Sequence, residues 1–408
     1  MGIDIVFRVK KFPYLTETFI VSNVVEAIRQ GYQIKIIANQ IYPLQYGTQK
    51  EIVEELALMD NVVLNPLLRE HHKLKRYLVA LRLLFNFTLL FYFIKYCWFK
   101  KKISLSYLFT IKFYCSYKAV KLFHIHFADA GEDVSILKSI GFFNPKIITT
   151  FHGIDAHFSD AKEQLEKIKL YSKFYNVWDK ITVNTPFLEN KLLELGVSKE
   201  KIQVIPMGVD KDFYRPKIMP KRLFNSATFN LISIGRLMLL KGHVYGVKSV
   251  KLLVDKGYDI HYTIVGDGEL KASLKTLIRD LSLEKNVTLY GTAEQVVVKN
   301  LLEESQLFLM TSIKDKTGRE ETQGLVTAEA QAMGLPVVGF NSGGIPYTVS
   351  DDTSILVQQK DYKLLAEAIE QILLDKDGYV AKSESARKLI EEKFSLTYMV
   401  EQLYRDLI

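Results

Sequence analysis

The sequence predicts an α/β protein built from two parallel-sheet domains. Three observations predict it. Short β-rich runs alternate with amphipathic helical runs through both halves of the chain, which is the rhythm of strand–helix–strand units with parallel strands. The length of 408 residues exceeds what one hydrophobic core usually serves. Near the middle, Lys211–Thr228 carries two prolines, mixed charge and weak periodicity, and marks a boundary.

In the first half, strands are expected at Ile3–Val9, Gln33–Ala38, His124–Phe127, Ile147–Phe151, Ile181–Asn184 and Val204–Pro206. Helices fall between them, among them Glu17–Gln30, closed by Gly31, and Pro186–Leu195, closed by Gly196. Proline at the start and glycine just past the end are ordinary helix punctuation. In the second half, strands are expected at Asn230–Ile234, His261–Val265, Val287–Tyr290, Leu307–Thr311 and Val337–Phe340. Helices near Val244–Asp255, Leu270–Leu281, Glu294–Glu304 and Leu325–Met333 separate them. The expected domains are residues 1–210 and 229–388. The last segment, Leu389–Ile408, reads as an amphipathic helix with Leu389, Phe394, Tyr398, Leu403 and Leu407 on one face.

Hydrophobic residues are 48% of the chain and charged residues 25%, as in an ordinary globular protein. The two cysteines, Cys97 and Cys115, sit in no CxxC or Cys/His spacing, which argues against a disulfide scaffold or a zinc site. The start, Met1 to Phe7, has no basic stretch followed by an apolar core and reads as a first strand. A reducing, cytoplasmic location is the expectation.

The net charge of +8 is local. From His71 to Ala128 there is no Asp or Glu, while 11 Lys and Arg fall there; the rest of the chain holds 43 basic and 46 acidic residues. Phe85, Phe87, Phe91, Tyr92, Phe93, Tyr96, Trp98 and Phe99 crowd the same stretch. Basic, aromatic and aliphatic residues together compose a surface for anionic lipid; this much Leu and Phe suits acyl chains better than nucleic acid. The longest charge-free run of this stretch, Leu83–Ile94, has 12 residues, short of the roughly 20 that a spanning helix needs. Two readings follow: a buried helix of the first domain, or partial immersion with Leu83, Leu84, Phe87, Leu90 and Phe91 at the lipid boundary. The second is preferred.

Ligands of such sheets bind at the carboxyl ends of strands, beside helix N-termini. After Asn230–Ile234 comes Gly235-Arg236-Leu237, then Lys241-Gly242. Gly235 permits a tight exit, and two cations on one loop can hold a diphosphate and stabilise it as it leaves. Val265-Gly266-Asp267-Gly268 also follows a strand; a plain tight turn explains it equally well. Glu321-Thr322-Gln323-Gly324-Leu325 opens a helix carrying Glu329 about one turn in. Carboxylates suit hydroxyl recognition because each accepts two hydrogen bonds in a planar fork, one here toward a sugar and one toward a ribose.

In combination these motifs, with Ala332-Met333-Gly334-Leu335-Pro336-Val337-Val338, resemble retaining GT-B glycosyltransferases of family 4 in order and spacing. The first half agrees: Phe151-His152-Gly153-Ile154-Asp155, Asn184-Thr185, and Val204 to Asp210 resemble that family's first domain. Phe12 to Phe19 looks like the N-terminal loop of bacterial exopolysaccharide and colanic-acid-type members. The resemblance implies two facing Rossmann-like domains, with 389–408 crossing back to complete the first. It implies that Arg236 and Lys241 bind the diphosphate and Glu329 the ribose. Glu321 would hold donor-sugar hydroxyls and His152 would approach the sugar from the other domain. Gly235, Gly266, Gly324 and Leu325 would line the nucleotide site. The sequence departs from the pattern at Thr322 and Gln323, where Gly and an apolar residue are common, and at Tyr347, where Glu is usual. Glu320 adjoins Glu321, and the N-terminal Gly-Gly loop of many members is absent.

The implied activity is transfer of a hexose from a uridine or guanosine diphosphate sugar, with retention, to a saccharide acceptor on a polyprenyl-diphosphate carrier. No DxD motif in strand context is present, so metal independence is expected, with no resident cofactor. The expected location is the inner face of the cell membrane. A nucleotide-sugar 2-epimerase and an exported sugar-binding protein are the alternatives on this architecture. A glycoside hydrolase using Glu321 and Glu329 would leave Arg236 and Lys241 without a task.

Overall fold

The computed structural model describes residues 2–14, 17–44, 47, 49–65, 73–158, 160–221 and 228–408, with 73–75 by backbone alone. The chain forms two compact units. The first comprises Met1–Val183, Glu189–Ile205 and Val400–Ile408; the second, Asn184–Leu188 and Pro206–Met399.

The first unit holds, in chain order, β1 (Ile5–Phe12), α1 (Thr18–Arg29), β2 (Ile34–Ile41), α2 (Lys50–Glu55), β3 (Val62–Leu64), α3 (Lys73–Leu84), α4 (Phe87–Lys100), α5 (Ser106–Tyr114), β4 (Leu122–His126), α6 (Glu132–Ser139), β5 (Lys146–Thr150), α7 (Ala161–Tyr171) and β6 (Lys180–Val183). The chain then passes through α8 (Pro186–Glu194) to β7 (Ile202–Val204). Its sheet runs β3-β2-β1-β4-β5-β6-β7, with every pair parallel. Helices on both faces explain why β1 buries Ile5, Val6, Phe7, Val9 and Phe12. The buried exception, Arg8, meets Asp133 at 3.3 Å, and Tyr114 and Asn65 donate to the same carboxylate.

The second unit holds β8 (Phe229–Ile234), α9 (His243–Asp255), β9 (Ile260–Val265), α10 (Lys271–Asp280), β10 (Val287–Gly291), α11 (Gln295–Glu304), β11 (Leu307–Met310), α12 (Leu325–Ala332), β12 (Val337–Asn341), β13 (Ser354–Gln358), α13 (Tyr362–Leu374) and α14 (Lys376–Lys393); α15 (Leu396–Tyr404) begins here. Its parallel sheet runs β10-β9-β8-β11-β12-β13, a doubly wound order whose switch point lies between β8 and β11. Period-two alternation splits the core. Leu231, Leu307, Leu309, Val338 and Phe340 face one helical layer; Ile232, Phe308, Met310 and Val337 face the other.

The domain limits expected from the sequence shift. Residues 206–210 and 389–399 pack in the second unit, because Val209 N donates to Phe394 O (2.7 Å) and Leu396 N to Val209 O (3.1 Å). The return to the first unit occurs inside α15. There the Tyr404 hydroxyl donates to Asn23 Oδ1 (3.0 Å) and meets His124 Nδ1 (2.7 Å).

The acid-free stretch holds α3, α4 and α5, and its apolar residues are divided between core and surface. On α4, Leu89, Phe93, Tyr96 and Cys97 are buried while Phe87, Phe91, Ile94 and Trp98 are exposed. Leu83, Leu84 and Leu90, expected at the lipid boundary, are half-buried. Lys73 and Lys75 lie outside the described side chains. No single helix among the described residues is long and apolar enough to cross a membrane.

Candidate active site

At the switch point of the second unit, β8 exits through Gly235 into the loop that carries Arg236 and Lys241. The loop is tied to the neighbouring strand ends. Gly235 N donates to Val265 O (2.9 Å), Thr311 Oγ1 to Lys241 O (2.8 Å) and Ile313 N to Leu240 O (2.8 Å). Gly266 faces it so closely that a Cβ there would stand 2.0 Å from Gly235 O, at a φ of +142°. Its glycine is therefore a packing requirement at a site that brings two βα turns together. Arg236 is exposed and has no ion pair among the described residues.

Lys241 Nζ reaches Glu321 Oε2 at 2.5 Å. Burial works to raise the Glu321 carboxyl, but the Lys241 charge beside it outweighs this and holds it below the ordinary value. Glu320 turns the other way, its Oε1 accepting from Gly343 N (3.1 Å) and Ser342 Oγ (3.3 Å). Of the two adjacent glutamates, it is thus Glu321 that faces the cation loop. Gly324 (φ +73°) leads into α12, whose first turn starts at Leu325. Glu329, on the same helix, is paired with the Tyr214 hydroxyl; burial pushes its carboxyl up to about 7 against that hydrogen bond. Gly235, Arg236, Lys241, Gly266, Glu321, Gly324, Leu325 and Glu329 therefore all lie on the second unit.

Sequence reading missed His243. It opens α9, is buried beside the Gly235 and Arg236 backbone, and burial followed by the Lys241 charge lowers it to about 4, so it is neutral. Its signal was the Lys-Gly-His run itself.

His152 belongs to the first unit, just past β5. Its loop is folded by Asp155, whose carboxylate accepts from His152 N (3.0 Å), Gly153 N (3.0 Å) and Ala128 N (3.1 Å). Burial still pushes Asp155 up to about 6. Phe19 and Phe127 lie against the His152 ring, at 4.5 and 4.7 Å between centroids. The Phe12–Phe19 motif thus delivers Phe19 to His152, although Leu15 and Thr16 are outside the described residues. His152 Nε2 meets His126 Nδ1 at 3.0 Å. Burial lowers both, His126 to about 3, so the pair consists of two neutral imidazoles. His126 was not singled out from the sequence; the alternation in His124-Ile125-His126 places both histidines on one side of β4.

Family models match both halves: Glycosyltransferase Family 4 over residues 16–213 and Glycosyl transferases group 1 over 215–393. The glycosyltransferase WcaL of Escherichia coli, named for colanic acid biosynthesis, is 30% identical over 277 residues, 67% of this chain and 67% of its own length.

The chain belongs to glycosyltransferase family 4.

Other family relatives include the amylovoran biosynthesis glycosyltransferase AmsK of Erwinia amylovora, 29% identical over 70% of this chain and 69% of its own. A UDP-Gal:α-D-GlcNAc-diphosphoundecaprenol α-1,3-galactosyltransferase of Escherichia coli is 27% identical over 92% of this chain and 98% of its own. Among solved structures, a glycosyltransferase of Rickettsia africae aligns with a TM-score of 0.72 at 21% identity, covering 100% and 98% of the two chains. The Anabaena protein HepE, solved with UDP, aligns with a TM-score of 0.74 at 16% identity, covering 99% of each. The fold is GT-B.

Against the family pattern, the departures at Thr322 and Gln323 have structural work. Gln323, 2% exposed, accepts from Met207 N (2.9 Å) and donates to Met207 O (3.0 Å). Asn184 Nδ2 donates to Thr322 Oγ1 (3.3 Å), Thr185 Oγ1 donates to Thr322 O (2.7 Å), and Gly344 N to Glu321 O (2.7 Å). A Cβ on Gly344 would sit 1.7 Å from Thr322 O, so the Gly343-Gly344 turn braces the Glu321 loop backbone to backbone. Tyr347, where family 4 usually has Glu, is exposed.

Proposed function

We propose that this family 4 enzyme transfers a hexose, with retention, from a nucleotide-diphosphate sugar to a saccharide on a polyprenyl-diphosphate carrier, in the assembly of a surface polysaccharide. The observation that carries this reading is the Lys241–Glu321 ion pair beside exposed Arg236 at the β8/β11 switch point. The cations suit a leaving diphosphate and the carboxylate suits sugar hydroxyls. In the step, the acceptor oxygen bonds to the anomeric carbon as its bond to the diphosphate oxygen breaks. The electron pair, and finally the acceptor proton, go to the nucleoside diphosphate. Arg236, Lys241 and the backbone N–H groups at the start of α12 neutralise the developing charge without a metal ion. Glu329 holds the ribose, and neutral His152 hydrogen-bonds a donor-sugar hydroxyl.

The names of the relatives support the acceptor class: one acts on a diphosphoundecaprenol-linked sugar, others are named for amylovoran and colanic acid biosynthesis. The exposed cations Arg82, Lys101, Lys102 and Lys112 support work at an anionic membrane surface on the cytoplasmic side.

The test is acceptor-dependent release of nucleoside diphosphate, with UDP- and GDP-sugars offered against a short-chain polyprenyl-diphosphate saccharide, with and without chelator. Product NMR should give the donor's anomeric configuration, and chelator should leave turnover intact. Sugar conversion without acceptor would make the protein an epimerase; failure to bind any nucleotide sugar would end the reading.

A further inference from the structure

The helix α4 has two apolar faces, and only one of them is used by the fold. Leu89, Phe93, Tyr96 and Cys97 pack inward. Phe87, Phe91, Ile94 and Trp98, spaced i, i+4, i+7, i+11, form a second stripe directed at solvent. Phe85 before the helix and Ile103 after it are exposed as well. Phe85, Phe87, Trp98 and Ile103 are 85, 87, 83 and 83% exposed. The outer face of a helix on a soluble protein is ordinarily polar, and a contiguous exposed apolar strip marks an interaction surface.

Charge identifies the partner. Arg82 at the end of α3 and Lys101 and Lys102 just past α4 are exposed and flank the stripe. Lys100 takes no part, because Glu132 holds it at 2.7 Å. Lys95 lies over the Phe91 ring at 4.7 Å and donates to Ile140 O (3.1 Å), so its stem broadens the apolar face while its charge is occupied. Aromatic side chains rimmed by cations complement a leaflet of anionic phospholipid. Length settles the mode: α4 has 14 residues, about 21 Å at 1.5 Å per residue, against roughly 30 Å of hydrocarbon. The preceding helix is bent by 108° from α4 at the break between them, so the pair forms no single straight span.

We propose that the outer stripe of α4 inserts, lying in the plane of the surface, into the headgroup–acyl boundary of an anionic leaflet, with Arg82, Lys101 and Lys102 on lipid phosphates. The proposal deepens the reading above that the enzyme works on a membrane-borne acceptor, and rests on it. Attachment is therefore partly hydrophobic and outlasts the salt that screens its charges.

The chain carries its own reporter. Of its two tryptophans, Trp98 is on the stripe and Trp178 is fully buried. Full-length protein is mixed with phosphatidylglycerol–phosphatidylcholine vesicles bearing doxyl-labelled acyl chains. Trp98 emission should shift to the blue and be quenched, at low and high salt, and Trp98→Phe should bind yet show neither change. Phe87→Ser/Phe91→Ser should weaken vesicle binding roughly tenfold or more with an unchanged melting temperature, since both side chains are exposed. Protein that binds vesicles with Trp98 unquenched would overturn insertion. So would a lipid-free dimer, seen by sedimentation, in which Trp98 is shielded and which Phe87→Ser/Phe91→Ser dissolves, because the occupant would then be a second copy. UDP and GDP binding to the same proteins is measured separately. Its loss from the wild type would count against the proposed activity, and its retention beside unquenched Trp98 against insertion alone.

Discussion

Lys241 Nζ donates to Glu321 Oε2 at 2.5 Å across 80 residues of sequence. In the proposed reading one partner serves the departing diphosphate and the other the sugar hydroxyls. Each side chain also neutralises the other before substrate arrives, and this makes their contributions inseparable.

Lys241→Ala and Arg236→Ala should each lower turnover at least tenfold, about 1.4 kcal/mol of lost transition-state stabilisation. Adding Glu321→Gln to Lys241→Ala should cost less than Glu321→Gln costs alone, because the first change has already broken the pair. Steady-state rates of the four proteins check this. Normal turnover in both alanine variants would remove the diphosphate assignment.

Glu329 ties stability to pH. Its folded value, raised by burial to about 7 from 4.5, means the folded state favours the protonated carboxyl. The contribution is fully present below about pH 4.5 and is lost as pH rises through about 7. The melting temperature of Glu329→Gln relative to wild type should therefore climb across that window. Donor affinity should move oppositely, improving in wild type above pH 7 as the carboxylate forms, with a flat profile in the variant. Parallel profiles for the two proteins would show that Glu329 does not titrate there.

Gln323→Leu removes both hydrogen bonds to Met207 and leaves its buried N–H and carbonyl without these partners, a loss of about 1–3 kcal/mol in stability. If Gln323 also positions Glu321, two residues away, turnover should fall about tenfold while nucleoside-diphosphate affinity stays within twofold. Gln323→Glu, which keeps the acceptor for Met207 N, should recover part of the rate. Calorimetry against UDP and GDP beside kcat separates positioning from plain destabilisation.

His152→Ala should lower turnover at least tenfold with nucleoside-diphosphate affinity unchanged, since the residue belongs to the first unit. Neither member of the His126–His152 pair should produce an inflection near pH 6.5 in kcat, because both stay neutral there. An inflection at that pH that vanishes in His126→Phe would overturn the assignment of protonation state.

Much of this protein was legible before any coordinates. The strand–helix rhythm, Pro186 and Gly196 around α8, and the loop after Ile234 follow from local rules: side-chain period, backbone freedom and the placement of ligands at strand ends. Those rules act within about ten residues, so the sequence alone could locate Arg236, Lys241 and Glu321 on βα turns and Glu329 on the helix that follows. The edge strands β3 and β13 escaped, although inner strands as short, such as β6 and β11, did not.

Tertiary structure decided the rest. Which glutamate faces Lys241, the partner of His152, and the grip of Gln323 on Met207 all depend on strand order, which brings distant segments to one sheet edge. The two-faced α4 is the sharpest case. Its residues are apolar nearly all round, so periodicity could not tell core from surface. Only the packing of Leu89, Phe93, Tyr96 and Cys97 against the first unit left Phe87, Phe91, Ile94 and Trp98 outside. Sequence determines which side chains a helix offers; which of them water or lipid will meet is settled by what the fold has room to cover.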